Sequence, residues 1–170
     1  DCRVPAANRL GAEGEGYRIA LSNLEAGRIG IAAQAVGMAR SAFDAALDYA
    51  SERTSFGKRL VEHQAISFKL ADMGTKLHAA RLVARDAAER KARGERADLV
   101  AGMAKLFCSE VCWELTQEAL RIHGGNGYAA EYPIEQLYRD APLMIVGEGT
   151  NEIQKMVIGR RLLEDHAIER

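Results

Sequence analysis

Apolar residues recur at steps of three and four along most of this chain, and the steps divide it into helices. The sharpest run is Ile66, Leu70, Met73, Leu77, Ala80, Ala84 and Ala87, one face of a helix packed in a bundle at a shallow angle. Upstream, Val36, Ala39, Phe43, Leu47 and Ala50 mark another long helix, expected from Gly16 to about Ala50 because no proline interrupts it. Downstream, Met103, Phe107, Cys108, Val111, Leu115, Ala119 and Ile122 mark a third, with Gly94 as the stop before it and Asp98 as its N-cap. A short helix around "PIEQLYRDA" follows, with Pro133 at its first position, and a last helix is expected from Thr150 through Ile153, Val157 and Leu162. Period-two alternation is absent beyond the first few residues, so no sheet of any size is expected. Four main helices on short connections predict an all-α fold, an up-down-up-down four-helix bundle with one short extra helix.

A chain of 170 residues buries roughly 70% of its unfolded surface, enough for one substantial core. Its 23 Lys and Arg against 24 Asp and Glu give a net charge of −1, without the broad positive field that nucleic-acid binding needs. No segment approaches the ~18 continuous apolar residues of a membrane span, and the start has no secretory pattern. The opening "DCRVPAANRLGAEGEG" has no initiator Met and is punctuated by Pro and Gly, so a piece of a longer polypeptide is expected. Cys2, Cys108 and Cys112 cannot all pair; the last two share a helical face and read as buried thiols. The four histidines have no ligand spacing with them, and no metal site is expected. Arg81, Arg85, Arg90, Lys91 and Arg93, interleaved with Asp86 and Glu89, read as a solvated face.

Three segments carry candidate chemistry. In "IVGEGTNEIQ" Glu148 stands between two glycines, behind an apolar run and ahead of a helix; an apolar surround raises a carboxyl pKa and a helix N-terminus lowers it. It reads either as a loop acid or as a placed base. In "RIHGGNGY" the glycines serve either a helix C-terminus or the close approach of a ligand, and the negative end of the helix does not itself invite phosphate. "ERTSFGKRLVEHQ" offers arginines for a pyrophosphate, hydroxyls for its oxygens and an aromatic for a ring, or else a polar loop pinned by Phe56.

Taken in order, "YRIALSNLEAGRIGIAAQAVGMA", "ERTSFGKRLVEHQAI", "ALRIHGGNGYAAEYPIEQLYRDA" and "GEGTNEIQ" resemble the C-terminal helical domain of the acyl-CoA dehydrogenase family over essentially the whole chain. Residues 1–15 are similar to the exit from that family's middle β domain, leaving 16–170 as the helical domain. The resemblance implies an FAD enzyme that removes two hydrogens from the α and β carbons of an acyl-CoA, giving the trans-2-enoyl-CoA. Glu148 matches the base that takes the α proton. A weak carbon acid needs such a carboxylate in an uncharged, water-poor site, and the N–H of the same residue supplies an oxyanion-type donor. Relatives that carry the base on the first helix place it where this chain has Gly27.

For FAD the resemblance implies Arg53, Ser55, Phe56 and Gln64 at the adenine and pyrophosphate end of a cofactor shared with a neighbouring subunit. It implies His123, Gly124 and Gly125 in the glycine loop, and Thr150 and Glu152 beside this subunit's own cofactor. Arg121 stands where many members have Gln, and Glu25 where many have Asp near bound CoA. Arg28 matches an arginine close to the active site, and Gly149 lets backbone approach the substrate. Several relatives have a bulky residue where this chain has Gly147, so a longer, branched or ring-bearing acyl group is expected. Further implications are a homotetramer, electron-transferring flavoprotein as acceptor, a bacterial cytoplasm or mitochondrial matrix, and little activity of these residues alone. Two other readings stay open: an acyl-CoA oxidase or nitroalkane-oxidase-like flavoenzyme, and a non-catalytic helical oligomerisation module.

Overall fold

The computed structural model describes residues 1–166, with the side chain of Glu25 also outside the described residues. Helix α1 spans Gly16–Glu52, α2 Gln64–Ala92, α3 Asp98–His123, α4 Pro133–Val146 and α5 Asn151–Asp165. Between α1 and α2 lie two strands of two residues each, β1 (Thr54–Ser55) and β2 (Lys58–Arg59), paired antiparallel. The four main helices and the shorter α4 form the expected bundle. Its centre is α3, which packs most heavily on α1 and also meets α2, α4 and α5.

The seam between α1 and α3 is made of small residues. Ala32, Ala35, Ala39, Ala42, Ala46 and Ala50 are all buried on α1, and the buried residues of α3, the helix it packs on, include Ala104, Cys108, Cys112 and Ala119. Small side chains let two backbones approach closely, so bulk moves to the flanks, where Val36 and Phe43 are half-buried. Leu47 and Phe107, expected in the core, are exposed instead. The stripe of α2 stands as expected: Leu70, Met73, Leu77, Ala80 and Ala87 are buried, with Ile66 and Ala84 packed beside them. On its outer face Arg85 pairs with Glu89 and Arg90 with Asp86.

Helix ends differ from expectation in two places. Gly94 does close α2, at φ +73°, Pro133 opens α4, and Thr150 caps α5 by accepting from the Ile153 N–H at 3.4 Å. Asp98, by contrast, is the first helical residue of α3 and not its cap; its carboxylate pairs with Arg96 and Arg161, each at 3.1 Å. Helix α4 runs past "PIEQLYRDA" and through Pro142 to Val146. A proline inside a helix costs about 3 kcal/mol, and the fully buried Ala141 and Met144 on either side of it anchor the extra turn against the core.

Cys108 and Cys112 are buried on α3, and burial pushes both thiols up to about 12. The thiolate is the reactive form. Treatment of the native protein with a maleimide at pH 8 is therefore expected to leave both unlabelled until it is denatured; rapid native labelling of either would contradict their place in the seam.

Candidate functional site

The chain adopts a left-handed backbone at glycines, as expected, and among the described residues at only two others: Phe56 (φ +51°) and Glu148 (φ +54°). Such angles strain a residue with a Cβ and persist only where the surroundings hold them. Both residues are candidates from the sequence, and they mark two separate clusters.

The first cluster joins the α4–α5 loop to α1. Gly147 ends α4, and Glu148 and Gly149 (φ +84°) turn the chain into α5. The Glu148 carboxylate then lies on α1 in the space left by Gly27: a Cβ there would stand 2.5 Å from Oε2 and 3.0 Å from Cδ. The vacancy at the alternative base position is thus the seat of the base candidate. Among the described residues no acceptor takes the Glu148 N–H, so it is free to donate to a ligand. Next to Gly27, Arg28 buries its Nε without a partner among the described residues, a donor of the kind a bound anion or carbonyl satisfies. At Gly147 a Cβ would come 3.0 Å from the Leu143 carbonyl, so the glycine has a backbone reason beside any room it leaves. Thr150 is the α5 cap, and Glu152 lies exposed in the first turn, its carboxyl held below the usual range by its own backbone N–H and the Thr150 hydroxyl.

This cluster is open on the chain described. Glu148 is exposed, and the apolar run expected to dry it leaves Leu143 and Val146 each 58% exposed. Among the described residues none covers it.

The loop itself is held from beneath by polar residues that the sequence reading passed over. Lys105, fully buried on α3, donates to the Ile145 carbonyl at 2.7 Å and to Asn151 Oδ1 at 2.8 Å. Burial pushes the Lys105 ammonium down, Glu110 and Glu152 push it up, and Arg28 adds to the downward side; the net shift is downward. Asn151 donates to Glu110 at 2.8 Å and to Ser109 Oγ at 3.0 Å. One turn on, the fully buried Gln154 donates to the Gly149 carbonyl at 3.0 Å and more distantly to that of Glu148. A signal was present in the sequence: Lys105 falls in register with Ala101, Cys108 and Cys112 on the buried face of α3.

The second cluster lies at the other end of α1. Phe56 and Gly57, both at positive φ, form the two-residue turn of the β1–β2 hairpin, as in the hairpin turns that match strand twist. The turn lifts Phe56 to 96% exposure, with its ring edge toward His63. His63 in turn meets the Ser55 carbonyl through Nε2 at 3.1 Å. Arg53 is exposed at the end of α1 and shares a shallow hollow with Tyr49, Glu52, Asn126 and Tyr132. Gln64 is exposed at the start of α2. An exposed aromatic flanked by Arg53, Lys58 and Arg59 suits a planar ring bearing phosphates.

Two other candidates are occupied. The His123 ring is buried, stacked on Tyr49 at 4.3 Å, edge-on to Tyr132, and bonded through Nδ1 to the Ala119 carbonyl. Any contact it makes with a ligand falls to its backbone and to the exposed Gly124 and Gly125 that follow. Arg121 is exposed but paired with Glu118 at 2.8 Å. Burial raises the Glu118 carboxyl, and Lys69 and Arg121 outweigh that and hold it low, so an incoming anion competes with Glu118 for this guanidinium. Glu25 lies on α1, with its side chain outside the described residues.

The comparisons with known proteins agree with one another. Residues 14–163 match the family described as acyl-CoA dehydrogenase, C-terminal domain. The chain is 48% identical over 163 residues to an acyl-CoA dehydrogenase of Bacillus subtilis, covering 96% of this chain and 43% of that protein. It is 45% identical over 164 residues to the caffeyl-CoA reductase-Etf complex subunit CarC of Acetobacterium woodii, with 96% and 43% covered. Butyryl-CoA dehydrogenase from Megasphaera elsdenii superposes with a TM-score of 0.92 at 48% identity, over 94% of this chain and 42% of that one. This chain therefore spans under half the length of the relatives it matches.

Proposed function

Because the chain belongs to the acyl-CoA dehydrogenase family, as its C-terminal helical domain, we propose that the protein containing it carries out FAD-dependent α,β-dehydrogenation of an acyl-CoA thioester. Residues 1–15 lead, on this reading, out of a middle β domain. The observation that carries the proposal is Glu148, strained at φ +54° with its carboxylate seated against Gly27. A loop acid of no consequence has no reason to hold a left-handed backbone.

Glu148 takes the α proton of the thioester. Its unpartnered N–H donates to the thioester oxygen as charge develops there, a stabilisation that is largest in a water-poor site. Gly149 keeps the backbone beside the acyl chain free of a side chain, and Arg28 supplies a buried donor with no partner among the described residues. FAD, when bound, would supply the hydride acceptor for the β hydrogen. Thr150 and Glu152 lie at the N-terminus of α5 beside this centre, and Glu25 and Arg28 on α1 serve the CoA side.

Arg53, Ser55, Phe56 and Gln64, with Gly124, Gly125 and the backbone of His123, form the clamp for the adenine and pyrophosphate end, and Arg121 adds a phosphate contact if Glu118 releases it. At about 1.5 Å per residue, Gly27 and Arg53 lie roughly 40 Å apart along α1, more than one extended FAD spans. That separation supports each chain touching two cofactors, each shared with another copy; the assembly proposed is a homotetramer. Exposed Leu143 and Val146 fit surfaces covered by the missing domains or by a partner copy. The 43% coverage of the relatives supports little activity from these residues alone.

Electron-transferring flavoprotein is the proposed acceptor, in a bacterial cytoplasm or mitochondrial matrix. No helix among the described residues is long and apolar enough to cross a membrane. A carboxylate of Glu length at position 148 favours this chemistry over that of a nitroalkane oxidase, which uses Asp. The strained Phe56 and Glu148 argue against a retired oligomerisation module, which needs neither.

The full-length, FAD-loaded protein is expected to convert an acyl-CoA to a product two hydrogens lighter in the presence of an electron-accepting dye, and to accept acyl groups longer, branched or ring-bearing. Good turnover of butyryl-CoA with none of every such group would overturn the role given to Gly147. Rapid turnover with O2 alone, giving the enoyl-CoA and stoichiometric hydrogen peroxide, would overturn the dehydrogenase reading in favour of an oxidase.

A further inference from the structure

A lysine with no exposed surface in the middle of a helix is costly unless its ammonium is fully used. Lys105 has no exposed surface, and its bonds go to the ends of one loop. Ile145, whose carbonyl it takes at 2.7 Å, lies three residues before Glu148, and Asn151, whose Oδ1 it takes at 2.8 Å, lies three residues after. The ammonium thus sits at the negative end of α4, where a cation is favoured, and ties that end to the start of α5. Asn151 is fixed in turn by Ser109 and Glu110 from the same face of α3. From α5, Gln154 holds the Gly149 carbonyl at 3.0 Å. Every one of these contacts converges on the loop whose central residue is strained, and strain of that kind requires surroundings that over-determine it.

We propose that Lys105, acting through Ile145 and Asn151, is a positioning residue that fixes the Glu148 backbone and aims its carboxylate at the substrate α carbon. This rests on Glu148 being the base. Lys105 touches no substrate; it sets the geometry on which proton abstraction depends, and misplacement of a reacting group by about 1 Å costs about 10²-fold in rate.

The test compares Lys105→Met, Asn151→Ala and Glu148→Gln in the full-length, FAD-loaded protein by anaerobic stopped flow, with ordinary and α-deuterated acyl-CoA. Met keeps the length and removes the ammonium. The limiting rate of flavin reduction per bound FAD is expected to fall about 10²-fold in Lys105→Met, with the acyl-CoA concentration for half-maximal rate near that of the parent and a larger α-deuterium isotope effect. Asn151→Ala is expected to lose less in the same direction, and decides the matter by the same readouts if Lys105→Met does not accumulate as holoprotein. A merely structural role would lower the amount and thermal stability of holoprotein and leave the limiting rate and isotope effect unchanged. That outcome, with Glu148→Gln inactive, overturns the positioning role alone. Flavin reduction by Glu148→Gln at the parent rate overturns the base assignment and the positioning role together.

Discussion

Replacing Glu148 with Gln in the full-length, FAD-loaded protein is expected to slow flavin reduction by acyl-CoA at least about 10²- to 10⁴-fold while FAD stays bound. Gln has the same length and meets the same strain at φ +54°, so the loop keeps its shape and only the proton acceptor is lost. The cofactor contacts proposed for Arg53, Phe56 and Gln64 lie at the far end of α1 and are untouched. Glu148→Gly would remove the base and the strain together, since glycine adopts the left-handed region freely. Its activity should fall as in Glu148→Gln while its Tm rises. Flavin bleaching at the normal rate in Glu148→Gln would remove this residue from the role.

The second large effect is expected at Gly27. A Cβ there stands 2.5 Å from Glu148 Oε2, far inside contact distance. What it meets is the end of a flexible side chain, so the carboxylate swings aside and the helix does not give way. Alanine is also the better helix former by about 1 kcal/mol. Gly27→Ala is therefore expected to keep or slightly raise Tm, retain FAD and lose about 10²-fold in the rate of flavin reduction. The combination matters, because a destabilised fold would move Tm and activity down together. Full activity in Gly27→Ala would show that the carboxylate does not work from the seat it occupies here.

The helical order was legible in the sequence because α2 alternates large apolar and polar positions at the helical period, and its buried face is the one the pattern marks. The α1–α3 seam was half legible. Alanine carries little hydrophobic signal, so Leu47 and Phe107 stood out by size, and a close helix crossing selects against size. The β1–β2 hairpin left no signal, since "SFGK" puts Phe where turn chemistry favours Gly, Asn or Asp. The strain is visible only in the backbone. At the site, the residue types of Glu148, Arg28 and Phe56 and their division between two cofactor ends could be read, but the seating of Glu148 against Gly27 could not. His123 was read as part of a ligand loop, and its ring belongs to an aromatic stack with Tyr49 and Tyr132. Lys105, Asn151 and Gln154 escaped notice because a polar residue on a helix is ordinarily solvated; burial turns them into supports for one loop.

On the proposed function, this helical domain serves proton abstraction from an acyl-CoA coupled to flavin reduction. An anaerobic titration of the full-length, FAD-loaded protein with a panel of acyl-CoAs, following loss of the oxidised flavin absorbance, tests it most directly. Bleaching by some of these thioesters is the predicted result; absorbance unchanged by any of them, with FAD bound, would contradict it.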